Sequence, residues 1–470
     1  MLHSIVINEW RLAMRSTKLI PLFVTWLALA IVTLLTSLTD YSHVFYQHAA
    51  ETEQRLWLEQ GARNPHSAAH FGQYAYRPEN IMAVIEPGLD TWIGTAIWME
   101  GHYQNPAVQR SGDDATPLSR LGVLSFGWLL QVLMPLTVLI LGYEILTAER
   151  VSGRLRLLLS CGVSALRLLT GKGLALIGIV FFTTLPAWMG VGLVLIFARN
   201  IAFSDGVFRL SLWMGFYLVY GLIWVMLVLF VSAVAKSSRQ SLMLLLAFWV
   251  IGVLLLPRLA AEYAETQYPS PQAAQFWTEA YKLQQEGIDG HGRRNLGVNL
   301  LEEETFKRYG VNRVEDLPVS FAGILLQAGE EYGNLVFDLF HGARWASYAE
   351  QDRLSQRWAW VSPVIAVRAL ATQVSGTDLM HHRHFADAAE NHRRVLLQFL
   401  NQDMTNHAKG LDFDYKADPA LWKAAPRWDY MLPRLENLAI TPMMILVFWL
   451  IFGSLVCFLV ARWLERDVGA

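Results

Sequence analysis

The stretch 209-RLSLWMGFYLVYGLIWVMLVLFVSAVAKSSRQSLMLLLAFWVIGVLLLP-257 contains two long apolar runs, 209–235 and 240–257, separated only by Lys236-Ser-Ser-Arg239. A bilayer core about 30 Å thick is crossed by about 20 apolar residues in a helix, so these runs predict a membrane-spanning hairpin. Four further runs of the same kind lie at 19–39, 121–145, 173–198 and 439–463. The sequence therefore predicts an all-α, polytopic membrane protein with six transmembrane helices.

The composition agrees with a membrane protein. Apolar residues make up 54% of the 470 residues and charged residues 17%, against about 25% charged in soluble domains. The 18 Trp and 16 Tyr suit the two membrane–water interfaces. A net charge of -2 gives no overall basic field, so we expect no nucleic-acid partner, and two cysteines are too few for a disulfide framework.

Basic residues set the predicted orientation. They cluster before the first span, between spans two and three, between spans four and five, and after the sixth: Arg11, Arg15, Lys18, Arg150, Arg154, Arg156, Arg167, Lys172, Lys236, Arg239, Arg462 and Arg466. Short loops rich in Lys and Arg stay on the cytoplasmic side. We therefore expect a multi-pass protein of the bacterial inner (plasma) membrane with both termini in the cytoplasm.

The remaining segments fall on either side of this bundle. Residues 1–18 predict an amphipathic helix on the inner surface, and 146–172 a charged cytoplasmic loop. Residues 40–120 form an extracytoplasmic insert. Residues 258–438 form an extracytoplasmic domain, which we call the outer domain. Its apolar residues recur every three to four positions, which predicts a mainly helical domain.

The spans contain almost no ionisable residues. Gln131 and scattered Ser and Thr are their polar content, and Glu144 lies near the inner end of the second span. Ion-coupled transporters use intramembrane carboxylates or histidines, so this pattern argues against proton-driven transport. Pro135 and Pro186 lie mid-span and predict kinks, either for packing or as hinges.

The loop after the second span reads Glu149-Arg-Val-Ser-Gly-Arg-Leu-Arg-Leu-Leu-Leu-Ser160. It leaves the membrane, carries charge and becomes a short amphipathic helix. One interpretation is a segment pressed against a cytoplasmic partner, with Glu149 and the neighbouring arginines paired to charges there. The alternative is a basic loop lying on the lipid surface.

This run, Glu-Arg-x-x-Gly-x-Leu-x-x-Leu-Leu-Ser, resembles the membrane subunits of ABC exporters of the second type. The opening Asn8-Glu9-Trp10-Arg11 is similar to the elbow helix of those permeases. Three outer motifs, Ser362-Pro363-x4-Arg368, Gly376-Thr377-Asp378 and His381-His382-x-x-Phe385, resemble one subgroup, described as permeases involved in multi-copper enzyme maturation. The resemblance extends over the whole chain but specifies no substrate.

The resemblance implies a dimer with a second permease, identical or paralogous, above two cytoplasmic ATPase subunits. Those subunits would hold ATP and Mg, and this chain would hold no cofactor and would be no enzyme. Its sequence has no phosphate-binding loop, because Gly171-Lys172 lacks the upstream glycine and the following hydroxyl. Matching the family's motifs gives an elbow helix at Glu9, Trp10 and Arg11. It also gives ATPase-coupling residues: Glu149, Arg150, Gly153, Arg154, Leu155, Leu158 and Ser160.

Histidines of the outer domain raise the question of a metal. Asp378, His381 and His382 have helical spacing and are weak candidate ligands, but Asp378 could equally cap a helix that begins at Leu379. His66, His70 and His102 are too dispersed to add to this candidate site. Trp92, Trp98, Trp345, Trp358, Trp360, Trp422 and Trp428 predict either a ligand surface or, more simply, packing and interface anchoring.

Three functions remain in view. The first is the transmembrane subunit of an ATP-driven exporter. The second is a mechanical transducer that acts on a periplasmic partner without translocating a substrate. The third, a membrane-anchored enzyme or sensor, has no catalytic constellation to support it. Membrane lipid is a partner in each case.

Overall fold

The structure is a computed structural model that describes residues 2–47, 57, 64–78, 80–108, 124–197, 203–288, 295–435 and 438–469. Most of these residues are helical, which confirms the predicted all-α class. Within them, six helical segments are long and apolar enough to cross a membrane: Leu19–Ser37, Phe126–Val151, Ala165–Ile196, Asp205–Val234, Ser238–Gln267 and Ile440–Arg466. These six spans confirm the predicted polytopic architecture.

The helices, in chain order, are α1 (Leu2–Arg15), α2 (Leu19–Gln47), α3 (Pro65–Phe71), α4 (Ile81–Ile85), α5 (Asp90–Ile93), α6 (Phe126–Trp128), α7 (Met134–Gly142), α8 (Thr147–Val151), α9 (Arg154–Ser160), α10 (Ala165–Phe197), α11 (Phe203–Val234), α12 (Ser238–Trp249), α13 (Leu256–Gln267), α14 (Ala273–Glu286), α15 (Leu296–Tyr309), α16 (Phe321–Arg357), α17 (Pro363–Ser375), α18 (Leu379–His407), α19 (Pro419–Ala424) and α20 (Ile440–Gly469). Short 3-10 turns lie at Val314–Asp316 and Trp358–Trp360.

Two spans contain π-helical turns. Leu129–Leu133 joins α6 to α7 just before Pro135, and Val250–Leu255 joins α12 to α13 just before Pro257. A π turn widens the helix where proline cannot donate a backbone hydrogen bond. The fifth span therefore continues past Pro257 to Gln267, beyond its predicted end at 257. Pro186, by contrast, lies inside the continuous helix α10.

The insert contains a small sheet that the sequence analysis missed. Its strands β1 (Gln73–Tyr76), β2 (Ala96–Glu100) and β3 (Tyr103–Val108) pair antiparallel in the order β1-β2-β3. Its buried face packs on Phe385 and Ala389 of α18. Strands of four to six residues in a segment rich in Gly, Pro and Trp give no alternation long enough to detect. Residues 48–56, 58–63, 79 and 109–120 of the insert, and 121–123 of the predicted second span, lie outside the described part of the chain.

The six spans differ in how much of their surface is buried against the rest of the protein. The second, third and fourth spans have 61%, 56% and 67% of their most apolar window buried, against 22%, 11% and 17% for the first, fifth and sixth. The central three therefore form the core of the bundle. The other three present broad apolar faces to the outside of the bundle, and these faces include the exposed side chains of Leu35, Ile251 and Ile451.

The bundle has two distinct ends. At the basic end, which we define by residues 144–172 and 235–239, Thr147 Oγ1 lies 2.8 Å from Ser238 Oγ and Ala165 N donates to Glu465 Oε1 at 3.0 Å. At the opposite domain end, Arg209 donates to the carbonyls of Val374 and Pro433 at 3.0 and 3.1 Å. Residues 149–172 and the outer domain thus lie at opposite ends of the bundle.

Candidate functional site

The basic end carries a short exposed helix. After α8 the chain turns at Gly153, whose φ of 75° lies in the left-handed region that favours glycine, and α9 begins at Arg154. Leu155 is buried and anchors α9 to the bundle. Val151 and Leu157 are 72% and 64% exposed, so α9 and the end of α8 present an apolar face flanked by arginines.

A buried ionic cluster, Glu9–Lys172–Glu149, lies beneath this helix. The Lys172 ammonium, 1% exposed, donates to Glu9 Oε1 at 2.5 Å and to Glu149 Oε1 at 3.0 Å. The three side chains come from α1, α8 and α10, and one cation therefore ties the amphipathic helix and the loop to the third span. Glu149 makes its salt bridge inside the chain, not on the surface.

Arg150 also makes internal contacts. Its guanidinium donates to the carbonyls of Ala233 and, at 2.9 Å, Ala235, and lies 5.6 Å from the ring of Trp463. Those carbonyls end α11, where a cation complements the helix dipole. Of the predicted coupling residues, Glu149, Arg150 and Leu155 therefore hold the loop, and Leu158 is half-buried. Gly153, Arg154 and Ser160 are exposed.

The predicted elbow helix α1 lies along α10. Trp10 packs over Gly178, where an added Cβ would lie 3.1 Å from the indole, and its ring is 6.1 Å from that of Phe182. Glu9 faces Lys172, whereas Arg11 is exposed. The pattern of the first residues thus correctly predicts a helix with one packed and one exposed face.

A second polar cluster lies in the core at the domain end. Glu86, which follows α4 of the insert, accepts from Tyr217 Oη at 2.7 Å and from Gln131 Nε2 at 3.2 Å. Arg368 of α17 donates to Gln131 Oε1 at 3.0 Å. Burial raises the pKa of Glu86. The ionisable residues of the second, third and fourth spans lie near their ends, but the insert and α17 bring Glu86 and Arg368 into contact with the core. Arg368, which lies in the otherwise apolar sequence of α17, is the feature of the sequence from which this cluster could have been predicted.

The outer domain has a charged core between α16 and α18. Arg393 donates to Glu330 Oε2 at 2.9 Å and to Glu390 Oε2 at 2.8 Å, and all three residues are buried. Burial alone would raise the pKa of Glu330, but a hydrogen bond from His102 and the charge of Arg393 bring it down to about 2. These contacts hold the sheet turn, α16 and α18 together.

A cavity of about 530 Å³ lies between the sheet, α16 and α18. Trp92, Trp98 and Trp345 line it, which accords with the ligand-surface alternative for these three tryptophans. Burial, followed by the charge of Arg344, lowers the pKa of His341 in its wall to about 4. The other tryptophans pack elsewhere: Trp358 against Tyr263, Trp360 against Phe448, Trp422 against Trp57, and Trp428 against Tyr430.

The weak metal candidates on α18 have other roles. Asp378 is the N-cap of α18 and accepts from the His381 backbone N–H at 3.2 Å, which confirms the capping interpretation. His381 Nδ1 also contacts this carboxylate, and His382 is buried beside Trp345. The structure brings together His66, His70 and His102, which the sequence analysis had set aside: their imidazole nitrogens lie within 4.8 Å of one another.

The comparison with known families matches the outer domain. Residues 274–431 match a family described as a domain of unknown function (DUF3526). The matched region begins in α14 and ends after α19, so it contains the charged core and about half of the residues that line the cavity. No curated protein matches the chain.

Proposed function

We propose that this chain is the permease subunit of an ATP-binding-cassette transporter of the bacterial inner membrane. It exports a substrate with energy from a separate cytoplasmic ATPase that binds ATP and Mg. In this proposal the basic end and both termini are cytoplasmic and the outer domain is periplasmic. A second permease, identical or paralogous, covers part of the outward faces of spans one, five and six.

One observation carries the proposal: an exposed helix at the basic end is rigidly attached to the core spans. A force applied to the exposed face of α9 reaches the third span through Lys172 and the fourth span through Arg150. Salt bridges between buried groups resist such a force far better than exposed ones. A loop that only lay on lipid would need no such attachment.

The test is recovery of the ATPase with the tagged full-length chain expressed from its own genomic neighbourhood. We expect an ABC ATPase to co-purify in detergent and to hydrolyse ATP. Leu157→Glu, which puts a charge on the exposed face of α9, should reduce its recovery severely. Leu300→Glu is the control, because Leu300 is a comparably exposed leucine of the outer domain, at 56%. Absence of any ATPase from the wild-type preparation would refute the proposal.

The second candidate is a mechanical transducer that moves the outer domain without translocating a substrate. It is favoured by direct continuity between the bundle and the domain. The fifth span runs without interruption to Gln267, and Gln373 of α17 accepts from the backbone of Ala439 at 2.8 Å, next to the sixth span. A structure of the assembled dimer separates the two functions: a pathway open to one side supports export, and a closed seam supports transduction.

A further inference from the structure

Three histidines meet at the edge of the outer domain, far from the basic end. His66 and His70 lie one turn apart on α3, with ring centroids 4.5 Å apart. His102 lies in the turn between β2 and β3, and its ring centroid is 5.0 Å from that of His70 and 6.2 Å from that of His66. One imidazole nitrogen of each lies within 4.8 Å of the others.

The turn at His102 is held in a costly conformation. Among the described residues, His102 is the one non-glycine residue with a positive φ, 69°. Such a backbone conformation costs about 1–3 kcal/mol, and residues that adopt it cluster at functional sites. Three contacts hold it there: Gly101 N donates to Ala69 O of α3 at 2.8 Å, Gln284 donates to His102 O at 2.7 Å, and His102 N donates to Glu330 Oε1 at 2.7 Å.

Glu330 also orients the ring of His102. Nδ1 lies 2.9 Å from Glu330 Oε1, and both side chains are buried. In the neutral tautomer that donates from Nδ1 to this carboxylate, Nε2 carries the lone pair. Histidines that bind metals usually donate their other ring N–H to a carboxylate or carbonyl. This contact fixes the ring and makes the imidazole more basic.

The helix that carries the other two histidines is also fixed. Asn64 caps α3 by accepting from Ser67 N at 2.7 Å, and its amide donates to the carbonyls of Phe413 and Tyr415 at 2.6 and 2.9 Å. His66 is half-buried and His70 exposed. The trio therefore has one rigid, buried member and one member open to solvent through which an ion could enter.

We propose that His66, His70 and His102 of the insert bind a single divalent transition-metal ion of the zinc–copper class where the insert contacts the outer domain. Imidazole nitrogens suit Zn²⁺, Cu²⁺ and Ni²⁺, and Ca²⁺ and Mg²⁺ prefer oxygen. Around a tetrahedral Zn²⁺ with bonds of about 2.0–2.1 Å, nitrogens lie about 3.4 Å apart. On binding, the exposed His70 and the half-buried His66 would rotate to close the trio from separations of up to 4.8 Å to that spacing. Among the described residues the trio supplies three ligands, and water or a partner's ligand would complete a tetrahedral site.

The test uses tag-free, full-length protein in detergent, stripped of metal and dialysed against Zn²⁺ and, separately, Cu²⁺. Bound metal is measured by mass spectrometry and affinity by calorimetry. We expect one ion per chain in the wild type. His66→Ala and His70→Ala should each abolish this binding. Glu330→Gln should weaken it by about 10–100-fold through the orientation of His102.

The matched control is His407→Ala, because His407 is an exposed histidine in the last turn of α18, with its side chain 60% exposed. It should bind metal as the wild type does. Circular dichroism and a thermal melt of metal-free protein establish that the His66 and His70 variants fold. A wild type that binds no Zn²⁺ or Cu²⁺ stoichiometrically, or folded His66 and His70 variants that bind as tightly as the wild type, would overturn the proposal.

Discussion

Replacing Lys172 by methionine tests the buried ionic cluster at the basic end. Methionine keeps the apolar stem of the side chain and removes the ammonium, which donates to Glu9 at 2.5 Å and to Glu149 at 3.0 Å. Since both carboxylate oxygens contact the same nitrogen, they lie at most 5.5 Å apart, the sum of 2.5 and 3.0 Å, and would face each other without a cation between them. At an effective dielectric constant of about 20 they repel by about 3 kcal/mol. The loss of a buried partner is generally worth about 3–5 kcal/mol, and we expect a destabilisation in this range.

The assay is SDS- or urea-induced unfolding of the full chain in micelles, followed by circular dichroism. A second change provides the internal check: Glu149→Gln on top of Lys172→Met removes one of the opposed charges and should recover about half of the loss or more. Arg154→Met is the matched control, since it removes a cation from the exposed face of α9 and should change the free energy of unfolding by less than about 0.5 kcal/mol. If Lys172→Met unfolds like the wild type, or if the double variant recovers nothing, the cluster does not hold this end together.

Three further perturbations test the outer domain through its free energy of unfolding. Because the native pKa of His341 is about 4 and its unfolded value about 6.5, unfolding takes up a proton between these pH values; stability should fall by about 3 kcal/mol as pH drops from 6.5 to 4, and His341→Gln should remove that slope in pH-dependent unfolding. Arg393→Met removes the buried cation that Glu330 and Glu390 share and leaves them with His102 and Arg394 alone, which should cost about 3 kcal/mol by urea unfolding. Gly323→Ala places a Cβ 2.5 Å from the backbone of α18 and should cost about 1–3 kcal/mol by thermal melt, whereas Gly192→Ala, with open space around it, should be close to neutral.

The sequence predicted the parts of the fold that follow from local apolar patterning. Six apolar runs became six spans, because a helix is the way a single segment satisfies its backbone hydrogen bonds in a bilayer. Asp378 as a helix cap was equally readable, since a cap is a local arrangement. The three-stranded sheet was missed, because its strands are stabilised by packing on α18, which is almost 300 residues away in the chain.

The candidate sites were harder to predict because they depend on long-range contacts. One interpretation had Glu149 face a partner, but the structure pairs it with Lys172, two helices further along the chain. His66, His70 and His102 were set aside as too dispersed to add to the candidate site at Asp378, yet the pairing of β2 with β3 and the contact of their turn with α3 bring His102 beside the other two. A charged residue inside an apolar helix, such as Arg368, is the kind of signal that sequence alone does offer.

The two charged clusters of the bundle bear directly on how the protein could be driven. Gln131 of the domain-end cluster and Glu144 near the basic end lie 13 residues apart on the second span, about 20 Å along a helix. Between those levels, the described residues of all six spans contain no Asp, Glu, Lys, Arg or His. A proton relay needs groups within hydrogen-bonding reach of each other, about 3 Å. Among the described residues, no chain of charged side chains links Glu86 and Arg368 to the basic end, which accords with the proposed drive by a force transmitted through the helices from α9.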